Sequence, residues 1–244
     1  MRLRLLPRTD IATVRCCDAI ATSANAALVG NGNPNYWRFA GKHNVDGAVH
    51  RAAGPRLLEA CQSLTPIGGG NAAQHCGVGD AVVTPAFDLH AGLVIHAVAP
   101  DGLYGSQPSS SSSSLSSALP ETLLCRTYTA ILEAARGSSI ESLALPAVGC
   151  GVLGFRAGVG AKIALKALIA QASSTGSGGV PLRVDVALLD DSAFTAWSRT
   201  ARALLGEPQA LGGGAGVEVY EDVISMCKET SRVTADGGAR DSST

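Results

Sequence analysis

The sequence predicts an α/β fold: a three-layer α/β/α sandwich with a mixed, largely parallel central sheet. Three observations predict it. Strand-length apolar runs alternate almost one for one with helix-period stretches, the pattern that crossover connections produce. The 244 residues are 46% apolar and only 16% charged, enough to fill one sizeable core. Polar or glycine-rich segments (25–32, 149–155 and 189–190) follow predicted strands, where open α/β sheets bind ligands.

Leu3 to Leu6 alternates with arginine and reads as a first strand, and Asp18 to Ser23 as a second that ends at the Asn25 turn. Residues 30–44 are rich in Gly, Asn and Pro and form a loop. Val45, Ala48, Val49 and Ala52 then fall at helical spacing. Gly54 closes that helix and Pro55 opens another through Leu57, Leu58 and Cys61. Strands are expected at 81–84 and 93–98, stopped by Pro85 and Pro100.

The serine-rich stretch 105–119 has nothing to pack and reads as a surface loop. Pro120 starts a helix through Leu124, Tyr128, Ile131 and Leu132, followed by a strand at 140–145. A helix over about 158–172 and a strand over 182–189 follow, and Asp191 is placed to cap a last helix. The division is one domain over 1–205, with a loop insert at 33–43, and a Gly-rich, polar tail over 206–244. A short helix from Val217 is the tail's one candidate element.

Composition narrows the function classes. A net charge of −1 without Lys/Arg runs leaves no footprint for nucleic acid. No apolar run reaches the ~18 residues of a membrane span, and the N-terminus lacks a secretory apolar region. Seven cysteines without framework spacing fit free thiols, and by elimination a cytoplasmic or nuclear setting. Composition leaves assembly open; a monomer is the favoured state.

Gly149-Cys150-Gly151-Val152-Leu153-Gly154-Phe155 follows an apolar strand and precedes a helix. Such a turn exposes a row of backbone N–H groups and holds phosphates without lysines. It is neither a Walker A loop nor a Rossmann fingerprint. By itself it is equally a plain tight turn. Asp46 stands at the start of a predicted helix near the Asn25 turn: either a helix-start carboxylate, or an acid beside an amide that positions a water or a sugar hydroxyl.

Five segments occur together in order: Thr9-Asp10-Ile11; Ala24-Asn25-Ala26-Ala27-Leu28; Val45-Asp46-Gly47-Ala48-Val49-His50-Arg51-Ala52-Ala53-Gly54; Ile95-His96-Ala97-Val98-Ala99-Pro100; and Pro146 through Phe155. Together they resemble the macrodomain family, most closely its MacroD-type ADP-ribosylhydrolases, over roughly residues 1–204. The resemblance implies an α/β/α sandwich whose crevice holds ADP-ribose, free or on modified proteins. Asp10 matches the acid that contacts the adenine amino group, with Ile11 beside it. Asn25 matches the asparagine on the distal ribose, and Asp46 the aspartate of the catalytic loop. Gly149, Cys150, Gly151, Val152, Leu153, Gly154 and Phe155 match the loop around the diphosphate and distal ribose. Gly30, Gly32, Val45 and Leu189 complete the implied binding set.

The implied activity is hydrolysis of mono-ADP-ribose from acidic side chains, or of the acetyl ester of O-acetyl-ADP-ribose. A water oriented by the ligand's phosphate, Asp46 and Asn25 completes the reaction with no cofactor and no metal. A non-catalytic ADP-ribose reader and an ADP-ribose-1″-phosphate phosphatase are the alternatives.

The chain departs from the family pattern in places. Thr22 stands where an asparagine is usual, and Thr9 where a glycine is. The glycine run before Val45-Asp46-Gly47 is interrupted by the 33–43 insert with Tyr36, Trp37 and Phe39, read either as a self-packed surface loop or as a lid. Leu188-Leu189 occupy the place of an aromatic that stacks on adenine in many relatives.

His50, one helical turn after Asp46, either polarises it or packs beside the loop. His96 reads as a core histidine, and Tyr128 and Trp197 as packing. His75-Cys76 and Cys16-Cys17 raise the question of zinc, but no spacing completes four ligands. Cys150 is either a reactive thiol near a helix start or a hydroxyl-sized packing group.

Overall fold

The computed structural model describes residues 1–30, 44–68, 74–102, 119–173, 182–205 and 218–220. The strands are β1 (Arg2–Pro7), β2 (Ala19–Ser23), β3 (Ala81–Pro85), β4 (Leu93–Ala97), β5 (Ser142–Pro146), β6 (Arg183–Leu188) and β7 (Glu218–Tyr220). The helices are α1 (Val45–Ala53), α2 (Pro55–Ser63), α3 (Pro120–Gly137), α4 (Ala157–Ser173) and α5 (Asp191–Leu205), with a 3-10 turn at Ile11–Thr13. One sheet runs in the order β3-β4-β2-β5-β6-β1-β7. Every neighbouring pair is parallel except β3 with β4. The sheet is therefore mixed and largely parallel, as expected.

Strand alternation sends side chains to two cores. Leu3, Leu5, Ala21, Ile95, Leu143, Leu145, Val184 and Val186 face α3, α4 and α5, where Tyr128 and Trp197 are fully buried. Ile20, Val94, Ala144 and Ala187 face the other way, toward α1, α2 and the 3-10 turn. The layers follow from this: three helices on one face, two and a short turn on the other.

Charged residues close the sheet where apolar ones do not. Arg4 and Asp185 face each other in register across β1 and β6, with both guanidinium–carboxylate bonds at 2.5 Å. Asp18 accepts from the N–H groups of Glu141 and Ser142 and from the Ser142 hydroxyl, tying the entry of β2 to that of β5.

Three expectations change. Asp191 is the first helical residue of α5 rather than its cap: the Asp190 carbonyl accepts from the Phe194 N–H at 3.1 Å, and the Asp191 carboxylate pairs with Arg8 at 2.9 and 3.0 Å. Glu218–Tyr220 form strand β7 against β1 rather than opening a helix. Ile140 and Glu141 precede β5, which begins at Ser142, where Asp18 holds the backbone. The 33–43 insert, the serine-rich stretch to 118, and the tail apart from 218–220 lie outside the described residues.

Candidate functional site

β2, β5, β6 and β1 are adjacent and parallel, so their carboxyl ends share one edge. The chain leaves that edge through Asn25 to Gly30, Gly149 to Phe155, Leu189-Asp190 and Thr9 to Ile11. A shallow, open cleft lies there. It takes Asp10 and Ile11 from the exit of β1, Val45 and Ala48 from the start of α1, Pro146 from the end of β5, and Leu189 from the exit of β6. Four residues predicted for ligand contact (Asp10, Ile11, Val45 and Leu189) are thereby brought together. Leu189 is half exposed, whereas Leu188 is buried in the opposite core, so only the second leucine reaches the cleft. Asp10 caps the 3-10 turn, accepting from the Ala12 N–H at 3.0 Å, which fixes its side chain at the rim.

The 149–155 loop is a sequence of short turns. Gly149 and Gly154 have φ of 81° and 76°, a region closed to most side chains. The Phe155 N–H donates to the Gly149 carbonyl and the Gly154 N–H to the Gly151 carbonyl, both at 3.1 Å. From outside, the Gly102 N–H donates to the Leu153 carbonyl at 2.8 Å. Among the described residues, the consecutive N–H groups of Gly151, Val152 and Leu153 donate to no protein acceptor. A row of unspent donors in a tight turn is a seat for an anion. The Phe155 side chain is buried, packed under Gly149 and Gly102. The Cys150 thiol donates to the Val148 carbonyl at 3.8 Å, and burial pushes its pKa up to about 11. A protonated, half-buried thiol favours packing over reactivity.

Asn25 begins its own turn: its carbonyl accepts from the Leu28 N–H at 2.9 Å and its side chain from the Val29 N–H at 3.4 Å. Asp46 has no exposed surface. The helix cap is Asn44, whose side chain accepts from the Asp46 N–H at 3.0 Å, so capping is not the work of Asp46. The Asp46 carboxylate instead accepts from the Thr22 hydroxyl at 3.1 Å. His50 Nε2 lies 3.9 Å from the same oxygen, and burial lowers the His50 pKa, so the ring is neutral at neutral pH. Gly30 sits so close to the His50 ring that a Cβ there would come within 2.7 Å of it. The Asn25 turn and the His50 face of α1 are thus in direct contact through Gly30. Gly32 lies outside the described residues.

Behind Asp46 is a second polar layer. His96 is in register with Thr22 on β4 and has no exposed surface. Its Nε2 lies 2.9 Å from the Thr84 hydroxyl and 3.7 Å from Cys61 Sγ. Its ring meets that of His50 edge-on at 5.9 Å. Burial, then the neighbouring His50, brings the His96 pKa down to about 3, and burial with the Asp46 charge raises Cys61 to about 12. His50, Cys61 and His96 offer two nitrogens and a sulfur within 4.8 Å of one another, a donor set that suits a soft metal ion. As they stand, the thiol is protonated and Thr84 engages His96. His75, the other candidate histidine, donates through Nδ1 to the Leu64 carbonyl at 2.8 Å.

Sequence reasoning missed Asn44 and Thr84, and marked Thr22 only as a departure from the family pattern. Asn44 had a signal, an asparagine immediately before the first periodic residue of a helix. Thr84 had none, and the bond from Thr22 to Asp46 could not be read, because both roles depend on strand register.

Residues 23–164 match the model of the Macro domain family. A macro domain-containing protein of Ralstonia nicotianae is 36% identical over 159 residues, 65% of this chain and 74% of that protein. A protein of Escherichia fergusonii named O-acetyl-ADP-ribose deacetylase is 37% identical over 152 residues, 61% of this chain and 69% of that protein. Among solved structures, an Oceanobacillus iheyensis macrodomain mutant with ADPR superposes with a TM-score of 0.61 at 26% identity, covering 83% of this chain and 92% of that one. With more than half its length matched by the family model and its mixed, largely parallel sheet set between two layers of helices, this chain belongs to the macrodomain family.

Proposed function

We propose that the protein binds ADP-ribose across the carboxyl edge of the sheet and hydrolyses an acyl ester of its distal ribose. The ester is either a protein's acidic side chain or the acetyl group of O-acetyl-ADP-ribose. The observation that carries this reading is the row of unspent N–H groups at Gly151, Val152 and Leu153. It offers a diphosphate several donors in a chain of net charge −1. The adenosine end then falls in the cleft of Asp10, Ile11 and Leu189, with the Asp10 carboxylate facing the adenine amino group and aliphatic walls taking its ring. The distal ribose falls toward Asn25 and the start of α1.

In the reaction a water adds to the ester, its C–O bond breaks, and the acid leaves from ADP-ribose with a free hydroxyl. The protein contributes position and electrostatics. Diphosphate held by fixed amides sets the distal ribose in place, and Asn25 with the Asp46 end of α1 orients the water. Release of acetate from O-acetyl-ADP-ribose, and of ADP-ribose from a protein modified on Asp or Glu, tests this directly. Wild type turns over and Asp46→Ala loses at least tenfold in kcat; equal rates in the two would remove Asp46 from the chemistry.

One observation favours a second reading, a reader that binds without turnover. The Asp46 carboxylate is wholly buried and already engaged by Thr22. Tight binding of ADP-ribose with no product from either ester would select that reading.

A further inference from the structure

We propose that Gly160, in the first turn of α4, is a positioning residue that sets the height of the 149–155 loop through Cys150. The inference rests on reading that loop as the seat of the ligand's diphosphate. A Cβ added at Gly160 would be driven into Cys150 Sγ, well inside van der Waals contact. The thiol has little room to swing away. It is half-buried, it donates to the Val148 carbonyl, and a Cβ at the neighbouring Gly149 would meet Leu124 and Phe155 at 3.1 Å. Any side chain at 160 therefore lifts the loop rather than merely turning the thiol. The segment that would move carries the three unspent N–H groups immediately after Cys150.

The other contacts on the loop come from different sides. Gly102 holds Leu153 by a backbone hydrogen bond and packs on Phe155, with only 2.7 Å left for a Cβ. Leu124 supports Gly149 from α3. The Cys150–Gly160 contact sets the loop against the first turn of α4, whose N-terminus adds a favourable field for an anion. Glycine is a poor helix former, so its presence inside α4 calls for a reason. Gly158, two residues earlier, has nothing within 4 Å of its would-be Cβ and supplies the control.

The test is calorimetry with ADP-ribose on wild type, Gly158→Ala, Gly160→Ala, Cys150→Ala and Gly160→Ala/Cys150→Ala. It is paired with amide NMR shifts of Gly151, Val152 and Leu153 in the unliganded proteins. Gly160→Ala is expected to weaken binding about tenfold or more at unchanged stoichiometry, whereas simple misfolding would lower the stoichiometry and leave affinity alone. Gly158→Ala matches wild type. In the Cys150→Ala background the Gly160→Ala step costs less than threefold, because the sulfur it meets is gone. The three amide shifts move in Gly160→Ala and return in the double variant. Unmoved shifts, or a Gly160→Ala loss that persists without the thiol, would overturn the proposal. Moved and restored shifts with no heat from wild type would uphold the steric coupling and instead refute the ADP-ribose reading.

Discussion

The Thr22 hydroxyl on β2 donates to the buried Asp46 carboxylate on α1 at 3.1 Å, joining the strand before the Asn25 turn to the first turn of the helix. Hydrogen bonds to a charged group contribute about 1.5–3 kcal/mol, and the partner left behind here has no exposed surface. Thr22→Val keeps the shape and removes the donor. It should lower unfolding free energy by about that amount, with Thr22→Ser close to wild type in chemical denaturation. Equal midpoints for valine and threonine would mean the hydroxyl contributes nothing.

His96 makes stability depend on pH in a stated direction. Its pKa is about 3 in the fold and near 6.5 in an unfolded chain. Between those values the unfolded chain binds a proton that the native protein refuses, so stability rises with pH through this window and flattens above it. One such group gives a slope of about 1.4 kcal/mol per pH unit. His50 acts in the same sense. Urea unfolding at several pH values between 5 and 7.5 should show a shallower slope for His96→Gln than for wild type. Parallel slopes would place the proton elsewhere.

The Arg4–Asp185 pair joins the middle of β1 to β6. Asp185 is 1% exposed and Arg4 13%, and Arg183 Nε adds a contact at 3.3 Å. Asp185→Asn removes the buried carboxylate that Arg4 and Arg183 both contact, so it should cost about 3 kcal/mol. Replacing Arg4 and Asp185 together with apolar residues should cost less. Thermal unfolding of the three proteins decides whether the pair or its imbalance matters.

Thiol reactivity should follow burial. Cys17, Cys76 and Cys150 have pKa values raised to about 11 and Cys61 to about 12, mainly by desolvation. At pH 8 a thiol of pKa 11 is thiolate in roughly one molecule per thousand. Mass mapping after iodoacetamide treatment of native protein should therefore find exposed Cys16 modified well before those four. Equally rapid modification of Cys150 would restore the reactive-thiol reading of the glycine loop.

Much of this was legible in the sequence because the elements are local and the cleft lies at their ends. The 182–189 run contains β6, the Pro120 start gives α3 its first residue, and Gly54 closes α1 with φ of 78°. Asp10, Ile11 and Leu189 converge because parallel strands put their exits on one edge, and Val45 joins them from the start of α1. What escaped was set by register and by short contacts across the chain. Thr22 meets Asp46 only because β2 lies beneath α1, and Thr84 meets His96 only through the antiparallel β3–β4 pair. Three-residue β7 has no periodicity to detect and exists because β1 offers it an edge. Asp191 looked like a cap because its partner, Arg8, is far away in sequence.

Titration of the purified chain with free ADP-ribose in a calorimeter tests the central claim most directly. A saturable one-to-one heat in the micromolar range, weakened about tenfold by Asp10→Ala at the rim of the cleft, is the predicted result. No heat with ADP-ribose at millimolar concentration would contradict it.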